Sequence, residues 1–267
     1  MEAPQRRHEL RATFAEDAEL YDRMRPTYPS AIFDDLASFG QLGPNSRVLE
    51  IGCGTGQATR PLAERDYQVT AIDLGADMVA IARRNLASFP RAEVVVAAFE
   101  SWPLPRERFD AVVSATAFHW LDPAVRVAKT AAVLRPGGTL AVISTHHIVG
   151  GDTQFFEQVQ ACYERWDPST PPGLRLPSPD EIPTNTSELD SSGLFEPAVI
   201  RRYVWTQTYT ASEYRDLLLT YSGHRALESV NRKHLLDCIN DLIRTQFSGR
   251  ITKQYMNQLG LARRLAS

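Results

Sequence analysis

A short apolar run that breaks on three glycines restricts this chain more than anything else in it. Arg47-Val48-Leu49-Glu50-Ile51 reads as a strand, and Gly52-Cys53-Gly54-Thr55-Gly56 follows it without a spacer. Glycines there let the backbone take positive φ and let a ligand lie against the chain. A helix over 55–65 would then offer free N–H groups at its start. Strand, glycine turn and helix in that order form the nucleotide crevice of a doubly wound sheet.

The downstream pattern repeats the unit. Strands are expected at 67–72, ending on Asp73, and at 93–99, 109–116 and 139–145. Helices are expected at 76–87 and 122–134, and Arg135-Pro136-Gly137-Gly138 turns the chain into the strand at 139. Strands alternating with helices at this spacing imply parallel pairing, with right-handed crossovers covering both faces. Two more strands, 198–209 and 250–264, bring the sheet to seven, so the expected fold is α/β, mostly parallel and doubly wound.

Before the glycine turn, a helix over 5–24 carries Leu10, Phe14, Ala18 and Tyr21 at helical spacing. Arg25-Pro26 stops it, and a second helix runs over 30–40. After Thr145, residues 152–166 read as helical, 167–183 as a loop with six prolines, and 211–247 as helical. The expected organisation is N-terminal helices (1–40), a core (41–145), insertions that cap it (146–197 and 210–249), and closing strands (198–209 and 250–267).

Composition removes several function classes. Net charge is −3 over 267 residues, which favours neither nucleic acid nor an anionic membrane. No apolar run is long enough to cross a bilayer, and Met1–Arg7 has no apolar stretch behind its basic residues, so it does not read as a signal peptide. Three scattered cysteines, Cys53, Cys162 and Cys238, suggest reduced thiols, a cytoplasmic setting and no metal cluster. Oligomeric state is not readable.

A dinucleotide fingerprint wants glycine at relative positions one, three and six, here Gly52, Gly54 and Gln57, so the third fails and glycine stands at 56 instead. A Walker loop's Gly-Lys-Ser/Thr is absent. With Glu50 before it and Asp73 ending the next strand, the stretch Glu50–Gly56 resembles the first motif of class I S-adenosylmethionine-dependent methyltransferases. The likeness covers residues 14–145. The Phe118-His119-Trp120 run and the segment Phe14–Pro29 resemble the type 11, trans-aconitate methyltransferase-like subgroup.

That resemblance implies S-adenosylmethionine as cofactor and assigns roles. Glu50, Gly52, Cys53, Gly54, Thr55 and Gly56 would form the cofactor loop. Asp73 would take the ribose hydroxyls, beside Leu74, and Met78 would pack on the adenine. The third strand of the family often ends Gly-Asp-Ala-Glu; here the run is Ala97-Ala98-Phe99-Glu100, so the adenine-binding aspartate is replaced by Ala98, and Phe99 N–H is left to reach the ring. Ser114, Ala115 and Thr116 close the fourth strand, and the Phe118 and Trp120 rings could face the sulfonium, each worth about 0.5–2 kcal/mol. Tyr21, Arg25 and Tyr28 would meet the methionine carboxylate or the substrate from a lid.

Methyl transfer is an in-line displacement, so the protein mainly aligns the groups and excludes water. Where an acceptor needs a base, His119, His146 and His147 are the candidates. Phe155, Tyr163, Trp166, Tyr214, Arg175 and Arg215 suit a small organic acceptor, with a carboxylate or hydroxyl favoured. A nicotinamide-dependent oxidoreductase and a non-catalytic S-adenosylmethionine-binding protein are the alternatives.

Overall fold

The computed structural model describes residues 17–266. Seven strands, β1 (Arg47–Ile51), β2 (Gln68–Asp73), β3 (Ala92–Val96), β4 (Phe109–Ala115), β5 (Leu134–Gly151), β6 (Val199–Thr210) and β7 (Arg250–Arg263), form one sheet in the order β3-β2-β1-β4-β5-β7-β6. The first five pair in parallel, with Val48 opposite Val69 and Ala111, and Val113 opposite Ala141. β7 runs the other way: Gly137 N donates to Arg264 O and Arg264 N donates to Gly138 O, at 3.0 and 2.8 Å. The sheet is therefore mixed, with a parallel body.

β1 and β4 read as apolar runs rather than alternations because both of their faces are covered. On one face Val48 and Val113 meet Ile32, Phe33 and Leu36 of helix Ser30–Gly40 and Val79 and Ala82 of helix Ala76–Asn85. On the other, Leu49, Ile51 and Val112 meet Phe99, Phe118 and the helix Arg126–Val133 through Val127 and Ala131.

The chain divides into two compact units. Of the described residues, the core unit holds Pro26–Thr145, Thr184–Tyr203 and 257–266; the second unit holds 17–25, His146–Pro183 and Val204–Met256. The divisions fall inside β5, β6 and β7, and helix Ser30–Gly40 groups with the core, apart from helix Ala18–Met24. The second unit has its own apolar centre, with Phe155, Leu217, Leu235, Ile239, Ile243 and Tyr255 all buried. Its helix Ala211–Leu218 starts on a capping box: Thr210 Oγ1 accepts from Glu213 N, and Thr210 N donates to the Glu213 carboxylate.

Several expected elements take other bounds. Of the helix expected at 5–24, Ala18–Met24 is observed, capped by the Asp17 carboxylate on Leu20 N; Leu10 and Phe14 lie outside the described residues. The helix after the glycine turn is Thr59–Ala63 rather than 55–65, because the backbone returns to positive φ as late as Gly56. The span 211–247 is three helices, Ala211–Leu218, Ser222–Arg225 and Ser229–Gln246. β3 stops at Val96, three residues short. β5 begins at Leu134, so the Arg135–Gly138 turn survives only as a register slip with Gly137 at φ 72°.

The reduced-cysteine expectation is corrected. Cys162, in helix Gln160–Trp166, and Cys238, in helix Ser229–Gln246, form a disulfide across 76 residues, with their Cα atoms 5.9 Å apart. Cys53 keeps a buried thiol. The cysteine argument for a cytoplasmic setting is therefore lost. Among the described residues, no helix is long and apolar enough to cross a membrane.

Candidate functional site

Strand order reverses between β1 and β4: β2 and β3 extend the sheet on one side of β1, and β4 and β5 on the other. Such a reversal leaves a crevice at the carboxyl ends of the strands, and the glycine turn sits there. Gly52, Gly54 and Gly56 have φ of 74°, 56° and 100°. A Cβ on Gly52 would stand 2.4 Å from the Cβ of Ala117, just past β4, so the turn presses directly on the neighbouring strand end.

Asp73 organises this place. Its Oδ2 accepts from Gly54 N (2.9 Å) and its Oδ1 from Gly75 N (2.8 Å). Its carbonyl accepts from Ala97 N, and the preceding Ile72 carbonyl accepts from both Gly52 N and Cys53 N. One β2 terminus thus fixes the glycine turn, the start of the next helix and the end of β3. Met78 is buried beside Gly75, while Leu74 is exposed.

Glu50 is buried, and among the described residues its Oε2 has no hydrogen-bond partner. Burial pushes its carboxyl up to about 8; the Thr59 hydroxyl opposes this, and the Asp73 charge adds to it. At neutral pH Glu50 is thus an uncharged acid. The Cys53 thiol is also pushed well up, by burial first and then by Glu50 and Asp73, which makes it an inert core group.

The other wall is hydroxyl-rich. Ser114 Oγ donates to Ile51 O. Thr116 takes a left-handed φ of 56°, an unfavourable position for a β-branched residue, and is pinned by its N–H to Ile143 O at 2.7 Å. Its hydroxyl meets Tyr28 OH (3.0 Å) and Thr145 Oγ1 (3.2 Å), and the buried Asn257 amide donates to Thr145 (2.9 Å). Thr145 and Asn257 were not singled out in the sequence. A polar residue at an apolar parity of a buried strand was the available signal.

Glu50, the glycine turn, Asp73, Met78, Ala98, Ser114, Ala115, Thr116 and Tyr28 thus lie within the core unit, mostly at or near its strand ends. Several other expected residues are placed differently. The Phe118 ring, expected to face the sulfonium, is buried in the apolar layer under Arg126; the Phe99 ring is buried there too, under Lys129, which leaves the expectation for its backbone N–H as it was. His119 is exposed, in a 3-10 turn, and packs on the half-buried Trp120. The Glu100 carboxylate accepts from Asp122 N. Phe155 and Tyr214 are buried at the centre of the second unit, in contact with each other, and Arg175 pairs with Glu181 in the proline-rich loop.

Tyr21, Arg25, His146 and His147 belong to the second unit. Arg25 donates to Thr220 O (2.8 Å), and its guanidinium lies over the rings of Tyr21 and Tyr221. His147 is held down to about 3 by burial and by the surrounding cations. It is an unprotonated and weak proton acceptor, which argues against its expected role as a base. Beside it is a residue the sequence reading passed over, Lys253, which is 5% exposed and lowered to about 7 by burial.

Residues 48–138 match a family model described as a methyltransferase domain. An uncharacterised methyltransferase of Mycobacterium tuberculosis is 36% identical over 137 residues, 51% of this chain and 54% of that protein. The chain spans about half the length of the curated relatives it matches first. Among solved structures, a putative type II methyltransferase from Anaeromyxobacter dehalogenans superposes with a TM-score of 0.59 at 23% identity, over 91% of this chain and 99% of that one. A Haemonchus contortus phosphoethanolamine N-methyltransferase with bound S-adenosylhomocysteine gives 0.53 at 16% identity, over 93% and 57%.

Proposed function

We propose that residues 48–138, which match a methyltransferase-domain family model, form the cofactor domain of a class I methyltransferase and that the protein moves a methyl group from S-adenosylmethionine to a small organic acceptor, at a carboxylate or hydroxyl oxygen. The observation that carries this reading is Asp73, whose carboxylate is aimed by two backbone amides beside a glycine turn at the strand-order reversal.

The residues present fit the cofactor. An oriented carboxylate at the end of β2 is the acceptor that a pair of ribose hydroxyls needs. Positive φ at three glycines brings backbone rather than side chain to the crevice. Met78 is buried under Gly75, next to Asp73, and gives the turn an apolar backing. Ala98 offers no side-chain acceptor to an adenine amino group, so recognition there falls to backbone.

When bound, the cofactor supplies an electrophilic methyl on a sulfonium; the acceptor oxygen forms the new C–O bond while the C–S pair returns to sulfur as a neutral thioether. The chain's contribution is alignment and dryness. A carboxylate acceptor needs no base, in keeping with the weak basicity of His147. A buried Glu50 that stays neutral adds no anion beside Asp73.

Titration calorimetry with S-adenosylmethionine and S-adenosylhomocysteine, followed by transfer of labelled methyl to a panel of small acids and alcohols, tests the reading. Absence of binding at millimolar ligand would refute it. Binding with no transfer to any acceptor would favour a protein that holds the cofactor without chemistry.

A further inference from the structure

In the second unit, five basic side chains, Arg25, His146, His147, His224 and Lys253, lie together. His147 feels, after burial, the charges of Lys253, Arg25, His146 and His224, all of one sign. Among the described residues, the acid acting in this group is Asp167, which acts on His224 and is already engaged by Ser169 and Thr170. Lys253 has no ion pair within that set. Its Nζ lies 4.5 Å from the Phe156 ring centre and 5.6 Å from that of Tyr255. Aromatic faces recover part of the cost of burying an ammonium, but an unpaired buried cation still costs several kcal/mol.

The groups are contiguous. The Arg25 guanidinium is 4.4 Å from the Tyr221 ring centre, and the His147 ring is 5.5 Å from those of Tyr221 and Tyr255. Tyr255 is in turn against Lys253. Two polar atoms of this row, His147 Nδ1 and Arg25 Nε, are buried with no hydrogen-bond partner. A guanidinium and a buried amine with open polar atoms beside them, against aromatic rings, are complementary to a flat anion, which restores the charge that burial alone takes from Lys253. A neutral or cationic ligand would leave Lys253 as costly as it is alone.

We propose that Lys253, with His147 and Arg25 beside it, anchors the carboxylate of a small flat organic acid between Phe156, Tyr221 and Tyr255. The anchored acid as methyl acceptor rests on the function proposed above; the binding itself does not. Burial keeps Lys253 near neutrality at pH 7 to 8, so a bound carboxylate draws a proton onto it. The other titratable groups facing the row, among the described residues, include Tyr21, His146, Tyr163, Asp167, Tyr209, Tyr214 and His224.

The test uses sodium benzoate and benzyl alcohol as probes on the full chain, by calorimetry with and without S-adenosylhomocysteine. Benzoate is expected to bind roughly tenfold or more tighter than the alcohol, since only it meets the charge. Lys253→Met should erase that preference and Lys253→Arg should keep part of it. At pH 8, buffers of different ionisation enthalpy should report uptake of about one proton with wild type and none with Lys253→Met. A cooperative thermal melt with an unchanged circular dichroism spectrum serves as the folding check on Lys253→Met. Equal benzoate affinity in wild type and Lys253→Met, or no benzoate binding by wild type, overturns the anchor. If benzoate behaves as stated and S-adenosylhomocysteine does not bind, the anchor stands and the methyltransferase reading falls; the reverse pattern has the reverse meaning.

Discussion

Glu50 ties the chemistry of the glycine turn to the stability of the fold. A carboxyl ordinarily near 4.5 is raised to about 8 by its burial, so the folded chain holds a proton that the unfolded chain releases. Stability is full below about 4.5 and declines as pH rises toward 8, because there the folded state binds more protons. At one pKa unit per 1.36 kcal/mol, the loss by pH 7 is on the order of 3 kcal/mol. Glu50→Gln keeps the shape and removes the titration. Thermal melts from pH 5 to 8 should slope downward for wild type and run nearly flat for the variant; parallel curves would place the proton elsewhere. Two neighbours test the same turn. Gly52→Ala sets a Cβ 2.4 Å from that of Ala117 at a φ of 74°, and it should cost about 2–4 kcal/mol in denaturant unfolding and abolish cofactor binding. Asp73→Ala removes the acceptor that Gly54 and Gly75 share and should weaken S-adenosylmethionine by about 1–3 kcal/mol, read by calorimetry. An unchanged dissociation constant would take Asp73 out of the site.

At the scale of elements, the stretches readable in advance are those where local pattern and tertiary role agree. β1 and β4 lie within a residue or two of expectation because strands covered on both faces are apolar over most of their length, and β2 because Val69, Ala71 and Ile72 are buried between polar ends. Helix ends were less readable. The amides expected to open a helix at Thr55 are instead spent on the turn, Gly56 N bonding Cys53 O, so the helix starts at Thr59. The disulfide was hidden for another reason: its cysteines are 76 residues apart, and an odd cysteine count pointed to free thiols. Closing a loop of that length removes about 4 kcal/mol of unfolded-chain freedom in the entropic account. Reducing agent, or a paired Cys162→Ala and Cys238→Ala change, should lower the melting temperature of the full chain while leaving S-adenosylhomocysteine affinity at the core unit intact. An unmoved melt in reductant would mean that the two sulfurs are not joined in solution. Lys253 was missed although its signal was present. In Ile251-Thr252-Lys253-Gln254-Tyr255 it occupies the inward parity of an alternating strand, where a charged residue needs a reason.

For the whole molecule, the division into two units gives the candidate ligands separate addresses in the chain. Most of the groups assigned to the cofactor lie in the core unit, chiefly in four short stretches at Glu50–Gly56, Asp73–Met78, Ala97–Glu100 and Ser114–Thr116, while Tyr21 and Arg25 lie in the second unit. Those assigned to the carboxylate lie in the second unit, at Arg25, His147, Phe156, Tyr221 and the Lys253–Tyr255 segment. A ligand that binds only the folded state stabilises what it touches by mass action, and local opening reports this segment by segment. Amide hydrogen exchange with S-adenosylhomocysteine should therefore protect peptides covering 48–58, 72–79 and 96–102, where backbone N–H groups form the crevice. Benzoate should protect peptides covering 146–149 and 251–256. Protection by S-adenosylhomocysteine that avoids the glycine turn would break the link between Asp73 and the cofactor. Benzoate protection confined to the core unit would move the acid away from Lys253, whatever its affinity.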